Sequence, residues 1–328
     1  GIWAAVLWAF FPVSIVQSVF LLSESLFTAI ALGMVLLLSS NSFSGKQKPL
    51  LLGVLFGCTI LTKPQSALFI LPIMMFAKIR LPQKKQLLRY GFQCILGIIL
   101  VVSPWVVRNV LVFGKPLIST NGGVNFWIGH NEEANGSYKI PKINPLDIIT
   151  NEIERSNAGY QLGWQFIRTE PKKEAVLLIK KLGYFFSSQT PLVIALHKTT
   201  EGFPSNSSYK DKAHQSSLWM LFLFNAQYML YLLCGTAGFI AAYNRKESTH
   251  NLFLCSFLLW ILLHLMYFTM SRYNFPALPF FVLWCVHLYH NRAQVRLISK
   301  RKIIVIIFCT LGLLTLWGIE LAIIISNN

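Results

Sequence analysis

Apolar residues fill nine runs along the chain, at about 2 to 22, 25 to 40, 50 to 62, 66 to 77, 92 to 107, 216 to 243, 251 to 270, 275 to 289 and 303 to 325. Several reach the roughly 20 residues that an α-helix needs to cross a bilayer core. The third and fourth are short, parted by the polar pair Lys63-Pro64, and read either as two short helices meeting at an elbow or as a helical hairpin. Short polar stretches separate most runs, and one long polar stretch, Arg108 to His214, stands apart from them. The pattern predicts an all-α polytopic membrane protein with about nine transmembrane helices. Its expected blocks are an N-terminal membrane block at 1–107, a partly helical extracytoplasmic cap at 108–214 and a C-terminal membrane block at 215–328.

Within the cap, Phe113-Gly114-Lys115-Pro116, Asn121-Gly122-Gly123, Gly129-His130-Asn131 and Asn135-Gly136-Ser137 predict loop, with room for short strands. Helix is expected from about Leu146 to Arg168 and again from Pro171. In the second of these, Val176, Leu177, Leu178 and Leu182 alternate with Lys172, Lys173, Lys180 and Lys181. That alternation suits a basic amphipathic helix on a membrane surface or one packed on its own domain.

Composition agrees with lipid as the main solvent. The chain is 54% hydrophobic and only 12% charged, with a mean hydropathy of +0.54, a balance too apolar for the surface of a water-soluble domain. The formal charge of +17 does not point to nucleic acid, because it sits between spans. Lys46 and Lys48, Lys78 to Arg89, Arg245 and Lys246, and Arg292 to Lys302 form four basic stretches whose only acid is Glu247. All four share one side if the spans alternate, and the positive-inside rule makes that side cytoplasmic and the 108–214 segment extracytoplasmic. The six cysteines, Cys58, Cys94, Cys234, Cys255, Cys285 and Cys309, all lie in apolar runs and read as packing residues. The chain starts at Gly1-Ile2-Trp3 in mid-run and reads as a fragment of a longer protein. Asn135-Gly136-Ser137 and Asn206-Ser207-Ser208 match a glycosylation acceptor pattern that is common by chance.

An ionisable residue in or beside hydrocarbon is costly, so it is a functional candidate by default. Five stand out: Glu24, Lys63, Arg108, Arg272 and Glu320. The alternation of spans sets the first four at the outer membrane face, where one acid among three bases suits an anion site, with the acid free to act as base, metal ligand or counter-ion. Snorkelling to headgroups is the competing account of Lys63 and Arg272, and interfacial anchoring that of Arg108. Glu24 gains little from snorkelling on so short a stem. Glu320, His264 and His287 read as packing residues, whereas His130, in a Gly- and Asn-rich loop, stays open as a ligand or base.

The combination of Pro12, Leu22-Ser23-Glu24-Ser25-Leu26, Gly53 to Gly57 with Leu61-Thr62-Lys63-Pro64, Ser103-Pro104-Trp105 with Arg108-Asn109, Asn121 to Asn131 with Gly136 and Tyr138, and Arg272-Tyr273 with Pro276 and Pro279 resembles the integral-membrane GT-C glycosyltransferases. The closest group is family 39, the protein O-mannosyltransferase-like and aminoarabinose-transferase-like enzymes of bacteria. The resemblance implies a GT-C-like fold in the bacterial inner membrane and transfer of a sugar from a polyprenyl-phosphate carrier to a glycan, lipid or protein acceptor, by inverting displacement. It implies donor-phosphate contacts at Lys63, Arg108, Arg272 and Tyr273, a catalytic or metal-binding role at Glu24, and a donor or acceptor loop carrying Asn121, His130 and Asn131. A divalent metal, with Glu24 and His130 as ligands, is the one cofactor it allows. The family's principal catalytic aspartate belongs to a first loop that would precede Gly1, and this is the main departure. A transporter or lipid-carrier flippase, and a non-catalytic assembly subunit, are the competing readings.

Overall fold

A computed structural model of the chain describes residues 1–20, 22–39, 47–200, 209–292 and 298–325. Lys46, residues 293–297 of the last basic stretch and Asn206-Ser207-Ser208 lie outside the described residues. Among the described residues no strand occurs, and helices make up most of the structure, with a longer non-helical stretch at 130–151. They are α1 (Ile2–Ala9), α2 (Pro12–Val19), α3 (Ser23–Ser39), α4 (Lys48–Thr62), α5 (Ile70–Arg80), α6 (Lys84–Phe113), α7 (Gly122–Gly129), α8 (Glu152–Thr169) and α9 (Pro171–Phe185). After these come α10 (Thr190–Thr200), α11 (Tyr209–Gln215), α12 (Leu218–Ala242), α13 (Ser248–Leu265), α14 (Leu278–His290) and α15 (Lys300–Ile325). Short 3-10 helices, Pro64–Phe69 and Ser271–Ala277, precede α5 and α14.

Among the described residues, four helices (α6, α12, α13 and α15) are long and apolar enough to cross a membrane. The pair α1 and α2 passes the same test together but bends by 59°. Pro12 explains the bend, because its ring disfavours helical backbone at the preceding residue, and Phe11 is extended at φ −77° and ψ 114°. The apolar helices α3 and α4 have 17 and 15 residues, about 25 and 22 Å at 1.5 Å per residue, less than the roughly 30 Å of a hydrocarbon core. The count of long spans therefore falls short of the nine runs read from the sequence. The break at Lys63-Pro64 is an elbow: Lys63 is extended at φ −143° and ψ 97°, and the 3-10 turn leads straight into α5. The loop reading of 121–129 is corrected, since α7 occupies it.

The chain packs as two compact units. One comprises Gly1–Ser25, Gly183–Asn244 and Met270–Asn328, the other Leu26–Leu182 and Arg245–Thr269.

In the second unit, α4 lies against α6 through small residues. A side chain at Gly53 would meet the backbone of Cys94, one at Gly97 the backbone of Leu50 and Val54, and one at Gly57 the side chain of Val101. Close backbone approach of this kind drives helix pairing in lipid, where burial from water contributes little. The order of these contacts makes α4 and α6 parallel. Phe56, Ile60, Ile73, Phe76 and Cys94 fill the core beside them. Arg80, at the far end of α5, reaches the start of α13, where its Nε donates to Ser248 Oγ at 3.3 Å, while Phe69 and Phe27 pack on Trp260 further along. Lys78, Arg80, Lys84 and Arg245 thus share one end of this unit.

In the first unit, Gly235 of α12 lies on Phe281 and Gly238 on Trp284, which makes α12 and α14 parallel as well. Lys302 Nζ closes the C-terminus of α12 by donating to the carbonyls of Ala241 at 2.7 Å and Tyr243 at 2.8 Å. The basic start of α15 therefore sits at the end of this unit opposite the 3-10 turn that carries Arg272.

The α4–α6 contact gives a first expected result. Gly97→Ala places a methyl on backbone that cannot rotate away, so it should destabilise the protein by about 1–3 kcal/mol, the usual cost of overpacking. Gly312→Ala on α15, where a Cβ meets nothing within 4 Å, should be neutral or slightly stabilising. Thermal unfolding in detergent compares them, and equal midpoints would remove the packing argument.

Candidate functional site

In the first unit, Glu24 lies in the first turn of α3 and is buried, only 3% exposed. A helix N-terminus favours a carboxylate because its free N–H groups carry partial positive charge. Ser23 Oγ donates to Glu24 Oε2 at 3.4 Å, and Arg272 Nε stands 3.9 Å from Oε1. The arginine is only half-buried. It lies on the 3-10 turn Ser271–Ala277, most of which is buried, and its guanidinium rests over the Tyr273 ring at 5.5 Å. Asn274 fixes that turn, donating through Nδ2 to Phe185 O at 2.8 Å and Tyr228 Oη at 2.6 Å. Arg272 Nε has no hydrogen-bond partner among the described residues. The result is a rigidly mounted guanidinium beside, but not bonded to, a buried carboxylate, with its fork of donors available to a planar or tetrahedral anion.

In the second unit, Lys63 follows Gly57 in α4, and Arg108 follows Val101 in α6. Since α4 and α6 run parallel with Gly57 against Val101, Lys63 and Arg108 emerge at one end of this unit, away from its basic stretches. Lys63 is 8% exposed. Arg108 is exposed, donates from Nη1 to Asn109 Oδ1 at 2.8 Å, and lies over Trp105 and Phe113 at 5.2 and 5.6 Å. Asn109 and Trp105 in turn donate to the carbonyls of Leu117 at 2.7 Å and Ile118 at 2.9 Å. These bonds fold the polar segment back over that end. Of the charges singled out in the sequence, Glu24 and Arg272 lie together in the first unit, and Lys63 and Arg108 stand at one end of the second.

The 121–138 segment owes its place to close packing. A Cβ at Gly123 would meet the Ser156 backbone on α8, and one at Gly129 the Tyr267 backbone after α13. Asn121 is exposed at the start of α7 and makes no side-chain cap there. Asn131 is buried and occupied, donating to Trp127 O and Ile128 O at 2.9 and 3.2 Å and accepting from Glu133 N at 2.9 Å. It caps α7 through these bonds.

His130 is also buried, in a cluster that the sequence does not announce. Its Nδ1 lies 2.8 Å from Phe126 O, and its Nε2 lies 2.9 Å from Lys181 Nζ and 3.3 Å from Glu174 Oε1. Lys181, fully buried, also donates to Glu174 Oε1 at 3.3 Å. Burial alone would raise the Glu174 pKa, but the contacts of His130 and then Lys181 outweigh it and hold the carboxyl below its ordinary value. Burial pushes the Lys181 ammonium below its ordinary value, and Glu174 opposes that. Both nitrogens of His130 are engaged, so it has no lone pair free for a metal. Among the described residues no three His, Cys, Asp or Glu side chains come together as a metal site.

Comparisons with protein-family models, with curated proteins and with solved structures give no match.

Glu320, read from the sequence as a packing residue, is a structural acceptor within the first unit. It receives Ser188 N at 2.9 Å and Ser188 Oγ at 2.6 Å, just before α10. The signal for Glu174 and Lys181 is spacing: with Leu177 they fall on one helical stripe, which buries the two charges with a leucine between them.

Proposed function

We propose that this chain is a membrane-embedded glycosyltransferase that moves a sugar from a polyprenyl-phosphate carrier to an acceptor at the membrane surface. The observation that carries the reading is the Glu24–Arg272 pair. A guanidinium held by a buried turn, with Nε unbonded and 3.9 Å from a buried carboxylate, is prepared for an anion whose charge grows during reaction. A departing polyprenyl phosphate is such an anion. Arg272 would take up the developing phosphate charge, and Tyr273 beneath it would keep the guanidinium plane in place. Glu24 would serve as base or counter-charge toward the acceptor hydroxyl. For Lys63 and Arg108 of the second unit, donor-phosphate contacts are what the resemblance to family 39 implies. The order of motifs resembling family 39 supports the same chemistry.

The transporter or flippase alternative draws on the bent α1–α2 pair and the elbow at Lys63, since broken helices line substrate paths in many transporters. One experiment separates the two. The protein in vesicles receives a polyprenyl-phosphate sugar labelled in the sugar, together with a mixture of glycan, lipid and peptide acceptors. Label in acceptor supports transfer, whereas label moved between leaflets but still on its carrier supports transport and overturns the enzyme reading.

A further inference from the structure

α9 has three faces rather than two. Its buried stripe is Glu174, Leu177, Lys181 and Phe185, which puts two charges and two apolar side chains into the protein. A second stripe, Pro171, Ala175, Leu178, Ile179 and Leu182, follows the i, i+4, i+7, i+8, i+11 spacing of one helix face, and all five residues are exposed. Ile179 is 73% exposed and Leu182 42%. A third stripe carries Lys173, Lys180 and Tyr184, also exposed. Lys172 and Val176 lie at the junction of the second and third.

A water-exposed helix would not turn an isoleucine and two leucines outward while taking a lysine and a glutamate inward. The inversion is explained if the outward apolar stripe has its own solvent. We propose that α9 lies in the plane of the membrane, with the stripe from Pro171 to Leu182 seated at the headgroup–acyl boundary of the bilayer. Three features select lipid over a protein partner. The chain has helices of membrane-spanning length, so a bilayer is always within reach. Lys173, Lys180 and Tyr184 lie on the face opposite the stripe, with Lys173 ion-paired to Glu132 and Glu170 and Lys172 at the stripe's edge, the polar side that an in-plane helix turns to water. The three-way division into protein, apolar and basic faces is that of a helix lying at the boundary between protein, lipid and water. The buried Lys181–Glu174–His130 cluster then sets the helix's rotation: it anchors one face in the protein, which forces the apolar stripe outward.

The test uses the whole chain in lipid nanodiscs with a small fluorescent non-natural residue placed singly at Leu178, Ile179 or Leu182, and at Lys173 as the water-side control. Lipids brominated near the top of the acyl chain should quench the three stripe positions and leave Lys173 bright, while aqueous iodide should do the reverse. Three stripe positions guard against one that disturbs folding. If iodide quenches Ile179 and Leu182 as it does Lys173, the stripe faces water and the proposal fails. If neither quencher reaches them, protein covers the stripe, and the proposal fails in favour of a protein contact.

Discussion

Lys181→Ala should destabilise the protein by about 3–5 kcal/mol, the usual cost of removing one partner from a buried ion pair. Lys181 is fully buried, and its ammonium is the donor shared by His130 Nε2 and Glu174 Oε1. Without it, Glu174 keeps a buried carboxylate whose Oε2 already has no partner among the described residues, and His130 loses the donor to its second nitrogen. Desolvation of these groups is then uncompensated. The paired change Lys181→Met with Glu174→Leu removes both charges at similar volume and should recover most of the loss, because the native pair is held against its own desolvation cost. Unfolding midpoints of the two single variants and the double variant in one detergent close the cycle. Additive losses would mean that the two residues do not act as a pair.

Acid should expose the same cluster. A carboxyl with a lower pKa folded than unfolded adds stability above its unfolded value and loses it as the pH falls through its folded value. Glu174 is of this kind, held below its ordinary 4.5. Its contribution is therefore complete at neutral pH and disappears below about 4.5, and Glu174→Gln should flatten that part of the stability profile.

Much of this architecture is legible in the sequence because lipid imposes a simple rule on run length and charge. The apolar stretches of α6, α12, α13 and α15 are long enough to be read directly. Arg80 of the Lys78 to Arg89 stretch meets Ser248, just after Arg245 and Lys246, at one end of the second unit. The Lys63-Pro64 elbow follows from the restriction that proline places on its predecessor. What the sequence hides is whatever depends on a distant surface. Gly122-Gly123 reads as a turn, because glycine is a poor helix former, yet it begins α7. The close approach of α8 at Ser156 needs the missing side chain there and outweighs propensity. Lys181 reads as one of four surface lysines, because periodicity gives a stripe and not the side on which the stripe is buried. Glu320 finds its donor at Ser188, more than a hundred residues away, a pairing that no local pattern encodes. Of the candidate site, residue types and their ends of the helices are readable. The pairing of Glu24 with Arg272 requires the fold.

Arg272→Ala should reduce sugar transfer by about a hundred- to a thousand-fold, or roughly 3–4 kcal/mol, the range for loss of one oriented donor to a developing anion. The size of the loss follows from how the guanidinium is mounted. Asn274 ties its turn to Phe185 and Tyr228, Tyr273 lies beneath it at 5.5 Å, and Glu24 stands close enough to orient it without occupying its donors. Little reorganisation is then needed when the phosphate departs, which is the condition under which such a donor contributes most. Arg272→Lys keeps the charge but loses the fork, so it should recover only part of the rate. Lys63→Ala, in the second unit, should fall in the same range if its buried ammonium also meets the carrier phosphate. A cation that only snorkels to headgroups would cost far less, because water or another headgroup replaces its partner. The measurement is initial rate at saturating carrier-linked sugar, with Lys300→Ala in a basic stretch as control and thermal midpoints to verify folding. Rates within about threefold of wild type, under roughly 0.7 kcal/mol, for both Arg272→Ala and Lys63→Ala would make these residues membrane anchors and remove the anion site from the mechanism.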